Sequence, residues 1–378
     1  RPIPYGPLTI DPRICTVKAL RDGGRDYLTT FQDWLDSQDG CRPQQGDLFD
    51  RPLFIRSGRD LGQYVHVDAL FEAYLNALLI LQAPCFDQQL HNPAFDTACG
   101  QMLNLTDGTR IGGGLGAPLD ALNPYASSRV QAGYGTLGLP NVQALIGEVA
   151  TRALKAVWFQ KWSVHRRLRP EAFGGNIHKT MLALEDPTNP DAKEYPIDQQ
   201  TCGEEFAKLR EDVLQRIRDH NAALNGGSGT YLLPVAYPEG SPLHPAYGAG
   251  HATVAGACIT ILKAWFADDV TFADLGAVPV EATPGGDALQ RWPGDPAELT
   301  VHGELDKLAA NIALGRSFAG IHWRSDYAES VRLGEAIALW LLCDQRATYA
   351  EDFGFTLTTL DGTRIRLDKN NPACFVLQ

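Results

Sequence analysis

The chain has 378 residues, of which 44% are hydrophobic, so it is long enough to bury a large core. Its formal net charge of −12 disfavours nucleic acid as a partner, because a phosphate backbone requires a basic surface. No apolar run reaches the roughly 18 residues that a membrane span needs. We therefore expect a soluble protein. The chain begins at Arg1 without a signal segment, so its location is unknown, with secretion or a periplasmic location as candidates.

Apolar residues at helical spacing predict a mainly α fold. A first helix is predicted to begin after Ser57, a candidate N-cap, and to run to Leu81. Another is predicted from about Pro140 to a stop at Pro170. Two-residue alternation is nearly absent, which disfavours extensive strands. Further helices are predicted at about 203–224, 250–267, 304–318 and 325–349.

Long stretches rich in glycine, proline and asparagine separate these helices, notably 105–140 and 226–250. Loops of that length in a compact helical domain usually shape a site or contact a partner. The stretch 270–300 is predicted to be a surface excursion. No internal repeat or low-complexity tract interrupts the chain.

Eight cysteines are scattered along the chain without the Cys-x2-Cys spacing of a zinc site. Cys258 and Cys343 lie in apolar helical patterns and are predicted to be buried thiols. Cys85 and Cys99 flank a polar loop, where they either pair or remain free.

The first of three basic clusters lies at the end of the helix predicted over 140–170. Lys161, His165 and Arg169 are spaced by four, so in a continuous helix they lie along one face. Arg169 precedes Pro170 at the helix end, where its guanidinium can offer two N–H groups to an oxyanion. Taken alone, this cluster fits a solvated basic face better than a site.

The second cluster runs from His244 to His251. Gly250 and His251 precede a strongly apolar run, which places them in the first turn of a buried helix. The free N–H groups and the positive end of the helix dipole would then face a ligand. Glycine at 250 would let the backbone approach an anion closely. The alternative is an ordinary helix start with a histidine satisfied in the core.

The third cluster contains Arg316, His322 and Asp326. Asp326 follows His322 by four residues, so its carboxylate can fix the tautomer of the imidazole and raise its basicity. A surface ion pair is the alternative for this segment alone. An acidic chain that gathers all three clusters in one pocket requires a charged ligand. Together they predict a site for a tetrahedral oxyanion.

The three clusters resemble the motifs of vanadium-dependent haloperoxidases, which share their active site with the wider acid phosphatase superfamily. The bromoperoxidases of red algae and cyanobacteria are most similar. The resemblance covers roughly residues 8–360 and implies a helical-bundle catalytic domain over 1–378, without the N-terminal helical region of algal enzymes. It rests on Lys161-x3-His-Arg-Arg-Leu-Arg-Pro-Glu171, His244-Pro-x-Tyr-Gly-x-Gly-His-Ala252 and Gly315-Arg-x4-Ile-His322-x2-Ser-Asp326.

Residue by residue, the resemblance implies that His322 is the axial ligand of a vanadium bound as vanadate. His251 would bond to the apical oxygen and act as acid and base, and Lys161 would polarise the bound oxidant. His244 matches a histidine that lies behind the vanadate ligands in bromoperoxidases and is aromatic in fungal chloroperoxidases, so it would assist catalysis and tune the choice of halide. Asp326 would orient His322. The groups implied to hold vanadate are Lys161, Arg169, Gly250, His251, Arg316 and His322.

Two positions matter for how far the resemblance extends. The family usually has serine where this chain has Ala249, and loss of one neutral hydrogen bond costs on the order of 1 kcal/mol, so weaker vanadate retention is expected. Trp158 stands where some red-algal enzymes have arginine and others an aromatic residue. An aromatic residue there would tune halide access and makes chloride oxidation a hypothesis. Ordinary helix packing is the alternative for Trp158.

The activity implied by the resemblance is oxidation of bromide by hydrogen peroxide to hypohalous acid, which then halogenates an organic nucleophile. A phosphatase with His322 as nucleophile and a noncatalytic oxyanion-binding protein are the alternatives. The resemblance also implies a homo-oligomer. Calcium is left open, and the sequence does not identify the organic substrate.

Overall fold

The computed structural model describes residues 3–5, 8–10, 12–18, 24–82, 103–107, 110–111, 115–128, 130–190 and 209–377. A mainly helical fold is confirmed. The α-helices are α1 (Phe31–Gln38), α2 (Gly58–Tyr64), α3 (Glu72–Gln82), α4 (Leu139–Phe159), α5 (Pro170–Glu185), α6 (Gln215–Leu224), α7 (Gly250–Trp265), α8 (Val301–Phe318) and α9 (Arg324–Arg346). Single π-helical turns, Gln160–His165 and Leu209–Leu214, follow α4 and precede α6.

The strands are short and antiparallel. Four two-stranded pairs are β1–β2 (Ile3–Tyr5, Leu8–Ile10), β3–β4 (Ile14–Val17, Phe49–Leu53), β5–β6 (Leu103–Asn104, Arg110–Ile111) and β7–β8 (Val280–Ala282, Leu289–Arg291). A three-stranded sheet contains β9 (Gly354–Thr358), β10 (Arg364–Asp368) and β11 (Phe375–Leu377), with β10 in the middle.

Helix α7 is the centre of the core. All its residues from Ala252 to Trp265 are buried, and it packs against α4, α8 and α9. A helix that is apolar on every side is stable only when neighbours surround it completely. The helix predicted at 250–267 is therefore confirmed, and its first turn is held rigidly by the core.

Two glycines let the backbones of α7 and α9 approach each other closely. A Cβ on Gly256 would lie 1.9 Å from the Val331 carbonyl oxygen, and one on Gly334 would lie 2.0 Å from the Thr253 carbonyl oxygen. Neither distance is possible for real atoms. Only glycine fits at this crossing.

The predicted continuous helix from Ser57 to Leu81 is wrong, because α2 ends at Tyr64 and α3 begins only at Glu72. The predicted N-cap is confirmed, since the Ser57 hydroxyl accepts the Asp60 N–H at 3.2 Å. The apolar pattern runs across the break because residues on both sides contact the same core, as Val65 and Leu78 do. Helices α1 and α5 were not predicted.

The C-terminal sheet was also not predicted, although its buried residues alternate. Phe355 and Leu357 face the core from β9, and the Phe355 ring lies 4.9 Å from that of Trp265 on α7. Cys258 is a buried free thiol, as predicted. The prediction for Cys343 is wrong, because it forms a disulfide with Cys374 that ties α9 to this sheet. Its partner was overlooked because Cys374 lies outside any helical pattern.

Three further predictions have mixed outcomes. Cys85 and Cys99 lie outside the described residues. The predicted excursion 270–300 contains the hairpin of β7 and β8. None of the described helices combines the length and the apolarity that crossing a bilayer requires.

We expect Gly334→Ala to lower the free energy of unfolding by about 1–3 kcal/mol or more, because the added methyl group overpacks the α7–α9 crossing. Gly147→Ala on α4 is the matched control, since its added Cβ would meet no atom within 4 Å. There the change should be neutral or stabilise by about 0.5–1 kcal/mol, through the better helix propensity of alanine. Urea unfolding measures both variants, and equal midpoints would contradict the expectation.

Candidate active site

The end of α4 places the first cationic side chain. The π-helical turn after Phe159 buries Lys161, which is 1% exposed, and Arg166 ends the turn in the left-handed conformation at φ 46°. The Arg166 N–H donates to the Lys161 carbonyl oxygen at 3.0 Å. The helix predicted to reach Pro170 therefore ends at His165, because the chain reverses at Arg166.

This reversal corrects the predicted face of Lys161, His165 and Arg169. Arg169 is the N-cap residue of α5 rather than a further turn of α4. It is 5% exposed and lies near Lys161, whereas His165 is exposed and its ring contacts the Tyr247 ring at 4.4 Å. Two of the three residues thus enter the pocket, on different elements.

Lys161 is held by carbonyl oxygens that carry no net charge. Its Nζ donates to Pro245 O at 2.7 Å and to Ala246 O at 3.2 Å. Burial, followed by the nearby Arg169 charge, lowers the pKa of Lys161 to about 7. The ammonium is therefore poised to gain stability from an anion.

Arg169 connects the loop 226–250 with the segment before α9. Its Nε donates to His244 O at 2.9 Å, and its Nη2 donates to His244 Nδ1 at 3.0 Å. Its Nη1 donates to Ile321 O and to His322 Nε2, both at 3.0 Å. Burial lowers the pKa of Arg169 to about 10 and that of His244 to about 4, so the guanidinium is charged and His244 is neutral at pH 7. The Pro245 carbonyl also approaches His244 Nδ1, at 3.3 Å; we assign Nδ1 as an acceptor because the arginine contact is shorter.

The tautomer of His322 is fixed by its two neighbours. Arginine only donates, so Nε2 accepts from Arg169 and the ring proton resides on Nδ1. That nitrogen donates to Asp326 Oδ2 at 3.0 Å, as the four-residue spacing predicted. Burial, then the Arg169 charge, lowers the pKa of His322 well below its usual value. A neutral imidazole with an Nε2 lone pair therefore faces the cationic pocket.

Asp326 is fully buried and has further partners. Its Oδ1 accepts from Arg167 Nη1 at 2.9 Å, and its Oδ2 accepts the Trp323 N–H at 2.9 Å. These bonds hold the carboxylate that orients His322. Arg167 was not among the predicted site residues.

The first turn of α7 lies beside these cations. Its N-cap residue, Ala249, makes no side-chain capping bond, is 1% exposed and donates its own N–H to Ser330 Oγ at 2.9 Å. A Cβ on Gly250 would meet Leu154 at 3.7 Å, an ordinary contact, so packing alone does not require glycine there. The free N–H groups of this turn are suited to an anion.

His251 has a carboxylate partner that sequence reasoning missed. Its Nε2 donates to Asp68 Oδ1 at 2.8 Å, and the two side chains are 14% and 9% exposed. Asp68 lies in the link between α2 and α3, where a helix was predicted. Burial outweighs this carboxylate and lowers the pKa of His251. The other ring nitrogen, Nδ1, is left for a ligand.

Arg316 completes the cationic group. Its Nη1 donates to Val65 O at 2.9 Å and to the Tyr237 hydroxyl at 3.3 Å, while that hydroxyl donates to Gly62 O at 2.6 Å. The guanidinium lies 5.2 Å from the Tyr237 ring centroid. Its buried Nε has no hydrogen-bond partner among the described residues. Tyr237, which no motif singled out, thus positions Arg316.

The arrangement fits an oxyanion. Lys161, Arg169 and Arg316 are buried close enough for each to affect the ionisation of His322. Asp326 and Glu171 are buried carboxylates near them. The unpaired Arg316 Nε and the uncapped start of α7 supply further N–H donors. Within the ranges that the structure describes, no group of three or more His, Cys, Asp or Glu side chains converges as a cation site. The donors favour a bound anion.

Trp158 lies outside this buried group. It precedes Lys161 by three residues but is 50% exposed, so it lies toward solvent while Lys161 lies in the interior. Its halide-tuning role stays a prediction.

The chain is similar to several known proteins. Residues 225–348 match the family described as the VCPO second helical-bundle domain. The vanadium-dependent bromoperoxidases of Corallina pilulifera and Corallina officinalis are each 38% identical over 375 residues, covering 97% of this chain and 54% of the relative. That of Ascophyllum nodosum is 33% identical over 346 residues, covering 90% of this chain and 53% of the relative. The chain thus spans about half the length of these relatives.

A solved structure has the same fold. It is the homohexameric structure of the second vanadate-dependent bromoperoxidase of Ascophyllum nodosum, which superposes with a TM-score of 0.77 at 28% identity. The match covers 100% of this chain and 58% of that chain.

The affinity for orthovanadate is expected to fall as the pH rises above about 7. The ammonium of Lys161, with its pKa lowered to about 7, is fully charged only below that pH, and a bound anion raises this pKa. Binding therefore takes up a proton above pH 7, which weakens affinity by up to about tenfold per pH unit. Vanadium NMR titrations from about pH 6 to about pH 9 measure this dependence.

Lys161→Met is the matched control, because it removes the titrating ammonium. Its remaining pH dependence reports vanadate itself and the other side chains. Parallel curves for the two proteins would contradict the assignment of Lys161.

Proposed function

We propose that this chain is a member of the vanadium-dependent haloperoxidase family and that it is a vanadate-dependent peroxidase, which oxidises bromide with hydrogen peroxide. The observation that carries the proposal is the buried Lys161, Arg169 and Arg316 around a neutral His322 whose Nε2 lone pair faces them. That arrangement supplies cationic N–H donors for oxygens and one nitrogen for a metal. We also propose that residues 1–378 act as one catalytic domain.

The residues that would hold vanadate are Lys161, Arg169, Gly250, His251, Arg316 and His322. When bound, vanadate would supply a Lewis acid that activates peroxide without changing its own oxidation state. His322 would bind through Nε2 once Arg169 Nη1, which donates to that nitrogen here, turns to an oxygen of the anion, while Asp326 retains the Nδ1 proton. The Gly250 N–H, in the first turn of α7, and the Arg316 Nε would donate to oxygens.

Proton transfer falls to His251. Its Nε2 is committed to Asp68, so Nδ1 would accept a proton from hydrogen peroxide and later return it. The Lys161 ammonium would stabilise negative charge that develops on the departing oxygen. His244, held neutral by burial and by Arg169, would assist without repelling the cations. The product would be hypobromous acid, which halogenates an organic nucleophile.

We further propose that the chain assembles as a homo-oligomer. The support is that the bromoperoxidase of known structure is homohexameric. Large apolar side chains at the surface, such as Phe49, Phe71 and Trp340, are available for subunit contacts.

The decisive experiment is bromination of monochlorodimedone by the apoprotein with hydrogen peroxide and bromide. We expect activity only after orthovanadate is added, and suppression by phosphate, which competes for the same donors. His322→Ala should abolish the activity.

A parallel assay with p-nitrophenyl phosphate tests the phosphatase alternative; phosphate release without bromination would overturn the proposal. Vanadate binding without either activity would indicate a noncatalytic oxyanion-binding protein.

Ala249→Ser is expected to strengthen vanadate binding. A hydroxyl at the start of α7 restores one hydrogen bond, worth about 1 kcal/mol or roughly fivefold in Kd. Equilibrium dialysis measures the affinity. Thr253→Ser is the control, because it keeps a hydroxyl one turn further along α7. An unchanged affinity in Ala249→Ser would show that the hydroxyl does not reach the anion.

Trp158→Arg is expected to lower the ratio of chloride to bromide oxidation. The half-exposed aromatic ring would keep the halide approach dry, whereas a guanidinium would add a hydrated competing cation. Halide competition assays at fixed vanadate measure the ratio. An unchanged ratio would assign Trp158 to ordinary packing.

A further inference from the structure

Three large apolar side chains lie at the surface directly next in the sequence to residues of the anion pocket. They are Trp162, Leu168 and Leu243, which are 56%, 52% and 73% exposed. Their neighbours Lys161 and Arg169 are buried. In each of these pairs of neighbouring residues, the polar side chain therefore lies toward the interior and the apolar side chain lies at the surface. Exposed apolar side chains grouped at one place commonly mark a binding surface.

These three side chains line one groove of about 300 Å³. The buried Arg169 and the half-buried His244 also line it, so the groove adjoins the anion pocket through these two residues. Its volume matches the lower end of small-molecule sites. A macromolecular partner would require a much wider surface.

The groove also has a free positive charge. Arg166 lines it, is exposed and makes no side-chain hydrogen bond or ion pair with any residue that the structure describes. Its backbone is fixed, because its N–H donates to the Lys161 carbonyl oxygen. The neighbouring Arg167 is different, since it is tied to Asp326 and Ser325. In a chain of net charge −12, this cation is positioned for an anionic ligand.

We propose that this groove binds the organic acceptor of the halogenation, and that the acceptor is an electron-rich aromatic ring bearing a carboxylate. The inference rests on the proposed function. The ring would pack against Trp162 and Leu243, and the carboxylate would pair with Arg166. The reacting carbon would then lie on the Arg169 and His244 side of the groove, where hypobromous acid emerges.

The reaction in the groove is an electrophilic substitution. A ring carbon forms a bond to bromine while the bromine–oxygen bond of hypobromous acid breaks. The ring proton leaves with the resulting hydroxide as water. Hypobromous acid is the product of the proposed bromide oxidation, so no other oxidant is required.

The test separates acceptor binding from bromide oxidation. Calorimetry of the protein with 4-hydroxyphenylacetate, without peroxide, measures binding, and its methyl ester removes the charge. We expect Trp162→Ser and Arg166→Gln each to weaken acceptor binding at least fivefold, with the ester unaffected by Arg166→Gln. Trp340→Ser, which removes a tryptophan of similar exposure from α9, and Arg51→Gln, an exposed arginine on β4, should not change it.

Bromide oxidation is followed separately as tribromide formation without any acceptor. The rate of tribromide formation should be the same in the wild type, in Arg166→Gln and in Leu243→Ser. Leu243→Ser is included as a second groove variant for the case that Trp162→Ser folds poorly. Unchanged acceptor binding and unchanged bromination selectivity in these variants would overturn the inference and show that acceptors meet hypobromous acid in solution. A shift of Leu243→Ser to a smaller oligomer would overturn it as well, by assigning the groove to a subunit contact. Absence of tribromide in the wild type would instead overturn the proposed function. The calorimetry without peroxide would then still show whether the groove binds the aromatic carboxylate.

Discussion

The burial of positive charge is the constraint on which the rest of the structure depends. Lys161, Arg169 and Arg316 are each at most 5% exposed. Removal of a charged group from water costs several kcal/mol even after relaxation. In the part of the chain that the structure describes, two buried carboxylates lie near them, and neither bonds directly to any of the three. Asp326 is bonded to His322 and Arg167, and Glu171 accepts from Ser241. Among the described residues, the direct hydrogen-bond partners of the three cations are therefore mostly carbonyl oxygens.

Those carbonyl oxygens come from segments that are not helical. The loop before α7 supplies the oxygens of His244, Pro245 and Ala246, and the link between α2 and α3 supplies that of Val65. A carbonyl inside a helix is already bonded to an N–H four residues on, so only irregular backbone has such groups to offer. The long loop and the broken helix are thus parts of the site. The rigid core around α7 keeps them in place.

The sequence predicted the features that depend on local spacing. The Ser57 cap and the bond between His322 and Asp326 follow from residues within one helical turn of each other. The buried helix that begins at Gly250 follows from a continuous apolar run. Asp68 could not be found in this way, because 183 residues separate it from His251. The π-helical turn after α4 was not predicted, because one extra residue in a turn does not change the pattern of apolar residues in a recognisable way. The pairing of Cys343 with Cys374 likewise depends on tertiary structure.

Three residues of α9 at a spacing of four connect this helix with the anion pocket and with α7. Asp326 orients His322, Ser330 receives the N–H of Ala249, and Gly334 sets how closely the α7 backbone can approach. The three share one rigid register, so a shift of α9 along or away from α7 displaces all of them together. The packing of the core at this crossing and the alignment of the pocket residues therefore change together. A substitution that loosens or tightens this crossing would also change the position of the groups that line the anion pocket.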